Sequence, residues 1–449
     1  MQDGKMLCVP IKRADFRALR QASLKGDLVE FRLDLNEPKN LPELIKECRK
    51  PIIFKLKTPT DALLSLAPDF IDLDYSHGPE VFASIGRRFP KIRKICSYHD
   101  FKQTPDLEPL TGKLKKCPAE IYKIAAMARS TNDALRMLQW VRKYRGVGIC
   151  MGEFGEITRI LAPVFGSPWT SAPLDATQKT APGQLYLDDL VKTYRYRTLS
   201  PRTALYGLIG DFVASSQSHR FHNIALDQLG LDAVYVKMKV AKEELDTFFL
   251  RCIDLGFQGL SVTMPLKEAV VPLLDHGRER AINTIAIRGR SILGWNTDGI
   301  GALDIIEKRM KVRGKKMVLL GAGGVAAAIA KEAVKRGADL TVLNRNLKRA
   351  QTLVEELGGA AYSLSDFERV AKMGYDILVN GTSVGMGGET PVPAAHLLED
   401  RLVMDVISQP SQTPFLMAAE QKRCEVIKGI ELFTQQAVEQ YCHWFLNSE

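Results

Sequence analysis

The chain has 449 residues, 45% of them hydrophobic and 25% charged, so it can bury more than one core; collagen-like, low-complexity and wholly disordered classes are excluded. At roughly 100–200 residues per domain, this length predicts two to four domains. The 62 basic and 52 acidic residues give a net charge of +10. They are spread along the chain rather than gathered into the stripe a nucleic-acid partner would need, which favours small anionic ligands. The eight cysteines show no metal-ligand spacing, so no metal is expected, and they read as reduced thiols of a cytoplasmic protein. The opening MQDGKMLCVPIKRAD lacks the apolar centre of a signal peptide, and no charge-free apolar run reaches about 18 residues.

In chain order, β-rich apolar runs occur at Met6–Ile11, Leu28–Leu33, Ile52–Lys57, Phe70–Asp74, Ile92–Tyr98, Glu120–Ala125, Val147–Met151 and Leu161–Phe165. Helical patterns fall between them, among others at Asp15–Lys25, Leu41–Arg49, Pro79–Phe89 and Thr131–Tyr144. Strand and helix alternating about eight times predicts a parallel α/β fold, either a (β/α)₈ barrel or a doubly wound sheet. The basic segment Val191–Arg202 marks a domain boundary before a new strand at Ala204–Ile209. A dinucleotide-type unit follows over Lys315–Asn346, with further strands at Tyr375–Asn380 and Leu402–Asp405 and a closing helix at Glu431–Leu446.

Catalytic groups of α/β barrels sit where strands end, and the strand ends here are polar. Glu30 and Arg32 share one strand face, as do Lys55 with Lys57 and Asp72 with Asp74. Lys123, flanked by apolar strand residues, is predicted to be desolvated, which would free its amine as a nucleophile toward a ketone. His99 could then move protons near neutrality. Spacing alone leaves open a snorkelling lysine and a strand-capping histidine.

The segments DLVEFRLDL (27–35), ICSYHDF (95–101), IYKIAAMA (121–128), MGEFGEITR (151–159) and TAPGQL (180–185) together resemble the type I 3-dehydroquinate dehydratases. The resemblance implies a barrel in which Lys123 forms a Schiff base with the substrate and His99 is general base and acid. It also implies that Glu30, Arg32, Lys57 and Arg159 hold ring hydroxyls and carboxylate, with Thr180 and Gln184 in a closing loop. Thr180 stands where serine is frequent in that family, and Lys57 where arginine is, an exchange that loses the planar fork.

In the second half, Gly321, Gly323, Gly324 and Ala326 follow a strand in the dinucleotide-binding pattern. The next strand ends in Asn344-Arg345-Asn346, with Lys348 and Arg349 beyond, where a carboxylate would mark NAD. Cations there predict NADP. Ser216 and Ser218 open a helix, Lys267 follows a strand, and Asn283, Asn296 and Asp298 lie in AINTIAIRGRSILGWNTDG. A Lys–Asp pair facing a carbinol could exchange its proton.

From about Ala204 onward this order, with VNGTSVGM (379–386) and GIELFTQQAVEQY (429–441), resembles the shikimate dehydrogenases. That resemblance implies that Lys267 and Asp298 are catalytic. Ser216, Ser218, Thr263, Asn283 and Gln436 would then bind substrate, while Asn344, Arg345, Thr382, Ser383 and Met386 would line the NADP site. His219, Ser261 and Ser408 depart from the residues usual in that family, which leaves quinate as an alternative substrate. The expected organisation is a dehydratase barrel over residues 1–200, a substrate lobe over 203–300, a Rossmann lobe over 301–428 and a returning helix over 429–449. A bifunctional shikimate-pathway enzyme taking small molecules is thereby expected; the alternative class is a metabolite sensor without turnover.

Overall fold

The computed structural model describes residues 5–276 and 279–446. Residues 1–4 and 447–449, at the ends of the expected first and last segments, lie outside the described residues. Eight parallel strands open the chain: β1 (Met6–Ile11), β2 (Leu28–Arg32), β3 (Ile52–Lys55), β4 (Phe70–Asp74), β5 (Arg93–Asp100), β6 (Ile121–Met127), β7 (Val147–Met151) and β8 (Trp169–Ser171). Their order is β7-β6-β5-β4-β3-β2-β1-β8, so the last strand pairs beside the first and the sheet curls into a nearly closed barrel. Helices follow most strands where the apolar spacing changes from two to about 3.6 residues. Thr131–Tyr144 is one of these, with the Ser130 hydroxyl capping the amide of Asp133.

One expected strand was misplaced. Leu161–Phe165 is not extended but forms the turns after the helix Glu156–Ile160. Its apolar side chains are buried as the tail of a helical pattern, Pro163 supplies no ladder N–H, and Gly166 reverses the chain at φ 81°. The eighth strand is the three-residue Trp169–Ser171, too short to carry an alternation. The closing helix also differs: it spans Gly429–Tyr441 and ends in a π-helical turn at Cys442–Leu446.

Cys8, Leu28, Ile53, Phe70, Ile95, Ile121, Val147 and Trp169 form an apolar cluster to which every barrel strand contributes. Farther toward the C-terminal strand ends, the interior turns polar, with buried Glu30, Lys55, Asp72, Ser97 and Lys123. This apolar floor under a polar layer positions the first site.

Next come β9 (Ala204–Gly210), β10 (Ala233–Lys239) and β11 (Phe257–Val262), parallel, with β9 in the middle. By contacts the chain divides into two compact units, Met1–Leu266 with Ile287–Ser291, and Lys267–Ala286 with Ile292–Glu449. Within the first unit, the helix Thr131–Tyr144 meets the helix Leu245–Leu255. Asp254 accepts there from Gln139 at 2.7 Å and from Arg142 at 2.6 Å.

The second unit carries the Lys267–Ala286 segment, which leads into β12 (Thr284–Arg288), and β13 (Ser291–Trp295), of which Ile292 onward belongs to it. It also holds the six-stranded parallel sheet of β14 (Lys316–Leu320), β15 (Asp339–Asn344), β16 (Ala360–Ser363), β17 (Ile377–Asn380), β18 (Leu402–Asp405) and β19 (Glu425–Ile427). The order β16-β15-β14-β17-β18-β19 reverses at β14, placing the crevice of a doubly wound sheet beyond the C-terminal ends of β14 and β17. Among the described residues no helix is long and apolar enough to cross a membrane, and all eight cysteines are unbridged.

Candidate active sites and their relatives

The barrel mouth is built around Asp72 on β4, which is fully buried. Its two carboxylate oxygens accept from Lys123 Nζ at 2.7 Å and Lys55 Nζ at 2.8 Å. Lys123 also donates to Glu30 at 3.3 Å, and Lys55 to the Ser97 hydroxyl at 2.9 Å. Arg32 lies 3.7 Å from Glu30 and holds Asp34 at 2.7 Å. The expected Glu30, Arg32 and Lys123 are thus brought together. Lys57 is exposed past the end of β3, outside this network, and Lys55 is the lysine of that strand within it.

Two electrostatic expectations are corrected here. Burial disfavours the charged form of Lys123, but the Asp72 and Glu30 carboxylates outweigh it and hold the ammonium above the usual lysine range. Lys123 therefore rests as a protonated ion pair rather than as a free amine. Burial, reinforced by Lys55 and Lys123 against the opposing Asp72, pushes His99 down to about 3. The imidazole is consequently neutral at neutral pH, a proton acceptor from the outset. Asp72 stays ionised despite burial because Lys123 and Lys55 hold it well below the usual carboxylate range.

Arg159, in the helix Glu156–Ile160, is 1% exposed. Its Nη1 donates to the Ser171 carbonyl at 3.1 Å, while its Nε has no partner among the described residues. Burial brings this guanidinium down to about 10. A buried fork with an unused donor suits a carboxylate ligand. In the loop after β8, Gln184 Oε1 accepts from the amides of Thr180 and Ala181 at 2.7 and 3.2 Å, and its Nε2 donates to the Thr180 hydroxyl at 3.1 Å. Gln184 thus shapes the loop that presents Thr180.

In the first unit, Ser216 donates to Ser218 at 2.8 Å just where the helix Ser218–Gln228 begins. Thr263 continues past β11, its amide bound to the Ile209 carbonyl.

In the second unit, Lys267 Nζ donates to Asp298 Oδ2 at 2.5 Å. Asp298 is 2% exposed at the start of the helix Thr297–Glu307, and its other oxygen accepts from Asn283 at 2.7 Å and Gln436 at 2.9 Å. The Asn296 side chain caps the same turn by accepting the Asp298 amide at 2.9 Å. Lys267, Asn283, Asp298 and Gln436 thus form one constellation although 169 positions separate the first from the last (436 − 267).

At the crevice, Gly321 adopts φ +105°, and a Cβ there would stand 2.9 Å from Thr382. Gly323 and Gly324 open the next helix, and a Cβ on either would meet nothing within 4 Å. That open helix N-terminus suits a pyrophosphate. Asn344 is fixed by its own turn, donating to the Asn346 carbonyl at 2.9 Å. Arg345, Lys348 and Arg349 are exposed, and among the described residues none has a carboxylate within ion-pair distance. Across the crevice, Thr382 donates to Asn380 at 2.7 Å, while Ser383 and Met386 are exposed beside it.

Sequence reasoning left Asp72, Lys55 and Ser97 out of the site, although the charged alternation on β3 and β4 pointed to the first two. It missed entirely the buried support under Thr382, in which Asn380 donates to Asp405 at 3.1 Å and Asp405 accepts from Thr413 at 2.7 Å. No local pattern announces that network.

Comparison with known proteins matches this layout. Residues 7–201 match the family model for type I 3-dehydroquinase, residues 208–287 that for the shikimate dehydrogenase substrate binding domain, and residues 304–400 that for shikimate/quinate 5-dehydrogenase. The chain is 35% identical to the shikimate biosynthesis protein AroDE of Chlamydia pneumoniae, over 98% of this chain and 95% of that one. It is 31% identical to the chloroplastic bifunctional 3-dehydroquinate dehydratase/shikimate dehydrogenase of Arabidopsis thaliana, over 98% of this chain and 82% of that one. A solved shikimate 5-dehydrogenase from Thermus thermophilus, in complex with NADP(H) and shikimate, superimposes with a TM-score of 0.50 at 30% identity, over 54% of this chain and 93% of that one. The identity and the length over which it holds settle the lineage: the chain belongs to the bifunctional family that joins a type I 3-dehydroquinase to a shikimate dehydrogenase.

Proposed function

We infer that one chain carries two consecutive reactions of the shikimate pathway, dehydration of 3-dehydroquinate and reduction of the resulting 3-dehydroshikimate with NADPH. The observation that carries the reading is the buried Lys123 at the barrel mouth, neighboured on β5 by a neutral histidine. A primary amine condenses with a ketone, releasing water and forming an imine that acidifies the adjacent C–H. Lys123 first gives up a proton to the Glu30 carboxylate it already contacts, and that proton leaves with the ketone oxygen as water when the imine forms, so His99 is still neutral for the next step. His99 then takes the proton from the ring carbon and returns it to the departing hydroxyl, which leaves as water. Hydrolysis of the imine regenerates Lys123. Arg159 is assigned to the substrate carboxylate, Glu30, Arg32 and Lys57 to ring hydroxyls or carboxylate, and Thr180 and Gln184 to the closing loop.

For the second reaction, Lys267 and Asp298 are assigned to proton exchange at the carbonyl oxygen. The Lys267 ammonium donates one proton to the carbonyl oxygen and takes its replacement from solvent, while the Asp298 carboxylate, 2.5 Å away, orients it. Asn283 and Gln436 orient Asp298 through its second oxygen. Ser216, Ser218 and Thr263 are assigned to substrate hydroxyls on family resemblance. The open turn at Gly321, Gly323 and Gly324 and the unpaired cations fit a dinucleotide bearing a 2′-phosphate. Asn344, Arg345 and Arg349 would hold that phosphate, with Thr382, Ser383 and Met386 along the far wall; NADP supplies the hydride chemistry when bound. The corresponding domains are residues 1–200, 203–300, 301–428 and 429–449. A cytoplasmic location belongs to the same reading, supported by the eight unbridged cysteines.

The test is a coupled assay on the purified chain: 3-dehydroquinate should give enone absorbance and, once NADPH is added, stoichiometric NADPH consumption. Ligand binding without turnover would identify a sensor instead.

A further inference from the structure

The loop between β8 and the helix Leu187–Lys192 is fastened at two places on opposite sides of the barrel seam. On one side, Gln178, 8% exposed, accepts through Oε1 from the backbone amides of Lys12 at 2.8 Å and Arg13 at 3.4 Å, the first two residues past β1. On the other, the Gly152 amide, just past β7, donates to the Pro182 carbonyl at 3.2 Å. Gly183 lies so close that an added Cβ would stand 2.2 Å from the Gly152 oxygen. β7 and β8 share no ladder in the sheet order, and this loop crosses that seam together with Arg159, which donates to the Ser171 carbonyl of β8. Lys179, Thr180 and Ala181 lie between the two fastenings, with Thr180 held by Gln184.

We propose that Gln178 is a positioning residue for the dehydratase site: its side-chain oxygen latches the loop to the β1 terminus and so holds the Thr180 hydroxyl over the barrel mouth before substrate arrives. Asp175 shapes the approach by accepting from the Thr177 amide at 2.8 Å, which turns Gln178 inward. The Gln184 bonds are local to the loop, whereas the Gln178 bonds reach 165 and 166 positions back along the chain. Gln178 therefore fixes the β1 side of the loop, as the Gly152–Pro182 bond fixes its other side, and Gln184 sets its internal shape. The role requires only an acceptor at the Oε1 position, which a carboxylate oxygen also supplies. The link to dehydratase kinetics rests on the function proposed above, but the latch itself does not.

Lys179 provides a readout independent of activity, because trypsin can cut Lys179–Thr180 only when the loop lifts. Limited proteolysis of the full native chain, with the cut mapped by mass spectrometry, is compared for wild type, Gln178→Met and Gln178→Glu, alongside KM and kcat for 3-dehydroquinate. Removing an acceptor shared by two amides should shift closed-to-open balance about tenfold. Gln178→Met should therefore be cut about tenfold faster and show a KM raised several-fold, with shikimate oxidation unchanged. Gln178→Glu keeps the acceptor and should restore both the cutting rate and KM. A Met variant cut at the wild-type rate, or a Glu variant as labile as the Met variant, overturns the latch. Faster cutting with unchanged KM overturns its positioning role. If the wild-type chain has no dehydratase turnover, proteolysis still decides the latch, and the functional reading alone fails.

Discussion

Replacing Asp72 with asparagine tests the electrostatics on which the barrel chemistry depends. The carboxylate is fully buried and accepts at 2.7 Å from Lys123 and 2.8 Å from Lys55. Asparagine keeps the shape and one acceptor oxygen, but its amide nitrogen must face the second ammonium with a donor. Glu30 and Ser97 remain as the other partners of the two lysines. Breaking a buried pair by removing one partner costs about 3–5 kcal/mol, so the barrel of Asp72→Asn should lose that much near neutral pH. The sign of the pH dependence follows from the direction of each shift. Lys123 titrates above its ordinary value, so its contribution is complete below the unfolded lysine value of about 10.4 and fades as pH rises through the folded one. Asp72 titrates below its ordinary value, so its contribution holds above the unfolded carboxyl value of about 3.9 and fades in acid. Urea unfolding across pH should thus show a gap between wild type and variant that is flat through neutrality and narrows at both extremes. Borohydride trapping with 3-dehydroquinate should extend to lower pH in the variant, since its lysine sheds a proton more readily. A variant as stable as wild type at neutral pH, or one with an unchanged trapping profile, would refute the reasoning.

Asp298→Asn should lower dehydrogenase kcat about 10²–10⁴-fold with dehydratase turnover intact, because it removes the proton partner of Lys267; steady-state assays of both half-reactions check this. Arg345→Ala should weaken NADPH about 10- to 100-fold by losing a charge-assisted bond while leaving NADH nearly unchanged, measured as kcat/KM for each cofactor. His222 is 2% exposed, stacks on Tyr235 at 4.1 Å and is pushed by burial to about 3. Its folded value lies below the unfolded one, so stability falls as pH drops below about 6.5. Between pH 7 and 5.5 the wild type should lose about 1.2 kcal/mol more than His222→Phe, read from the difference in unfolding slopes with pH.

The sequence made most elements legible where periodicity was long or flanked by caps. Thr131–Tyr144 and Val147–Met151 fall as expected, since the first shows a helical stripe behind Ser130 and the second a short buried run. Leu161–Phe165 misled because a buried helical tail and a buried strand are equally apolar over five residues. Of the barrel site, Glu30, Arg32, His99 and Lys123 were readable as polar residues at strand ends. The protonation states were not, because they depend on Asp72 lying between two lysines, and that follows from strand order rather than from any one strand. The Lys267–Asp298 pair was readable as two residues; the part played by Gln436 in holding the pair needed the fold to return its helix to Asp298.

The central claim is that Lys123 is the amine that captures the substrate ketone. The most direct measurement is reduction with borohydride in the presence of 3-dehydroquinate, followed by peptide mapping of the intact chain and of Lys123→Ala. A covalent adduct should appear on the peptide containing Lys123, and Lys123→Ala should carry none while still reducing 3-dehydroshikimate with NADPH. An adduct on another lysine, or dehydratase turnover surviving in Lys123→Ala, would contradict the account.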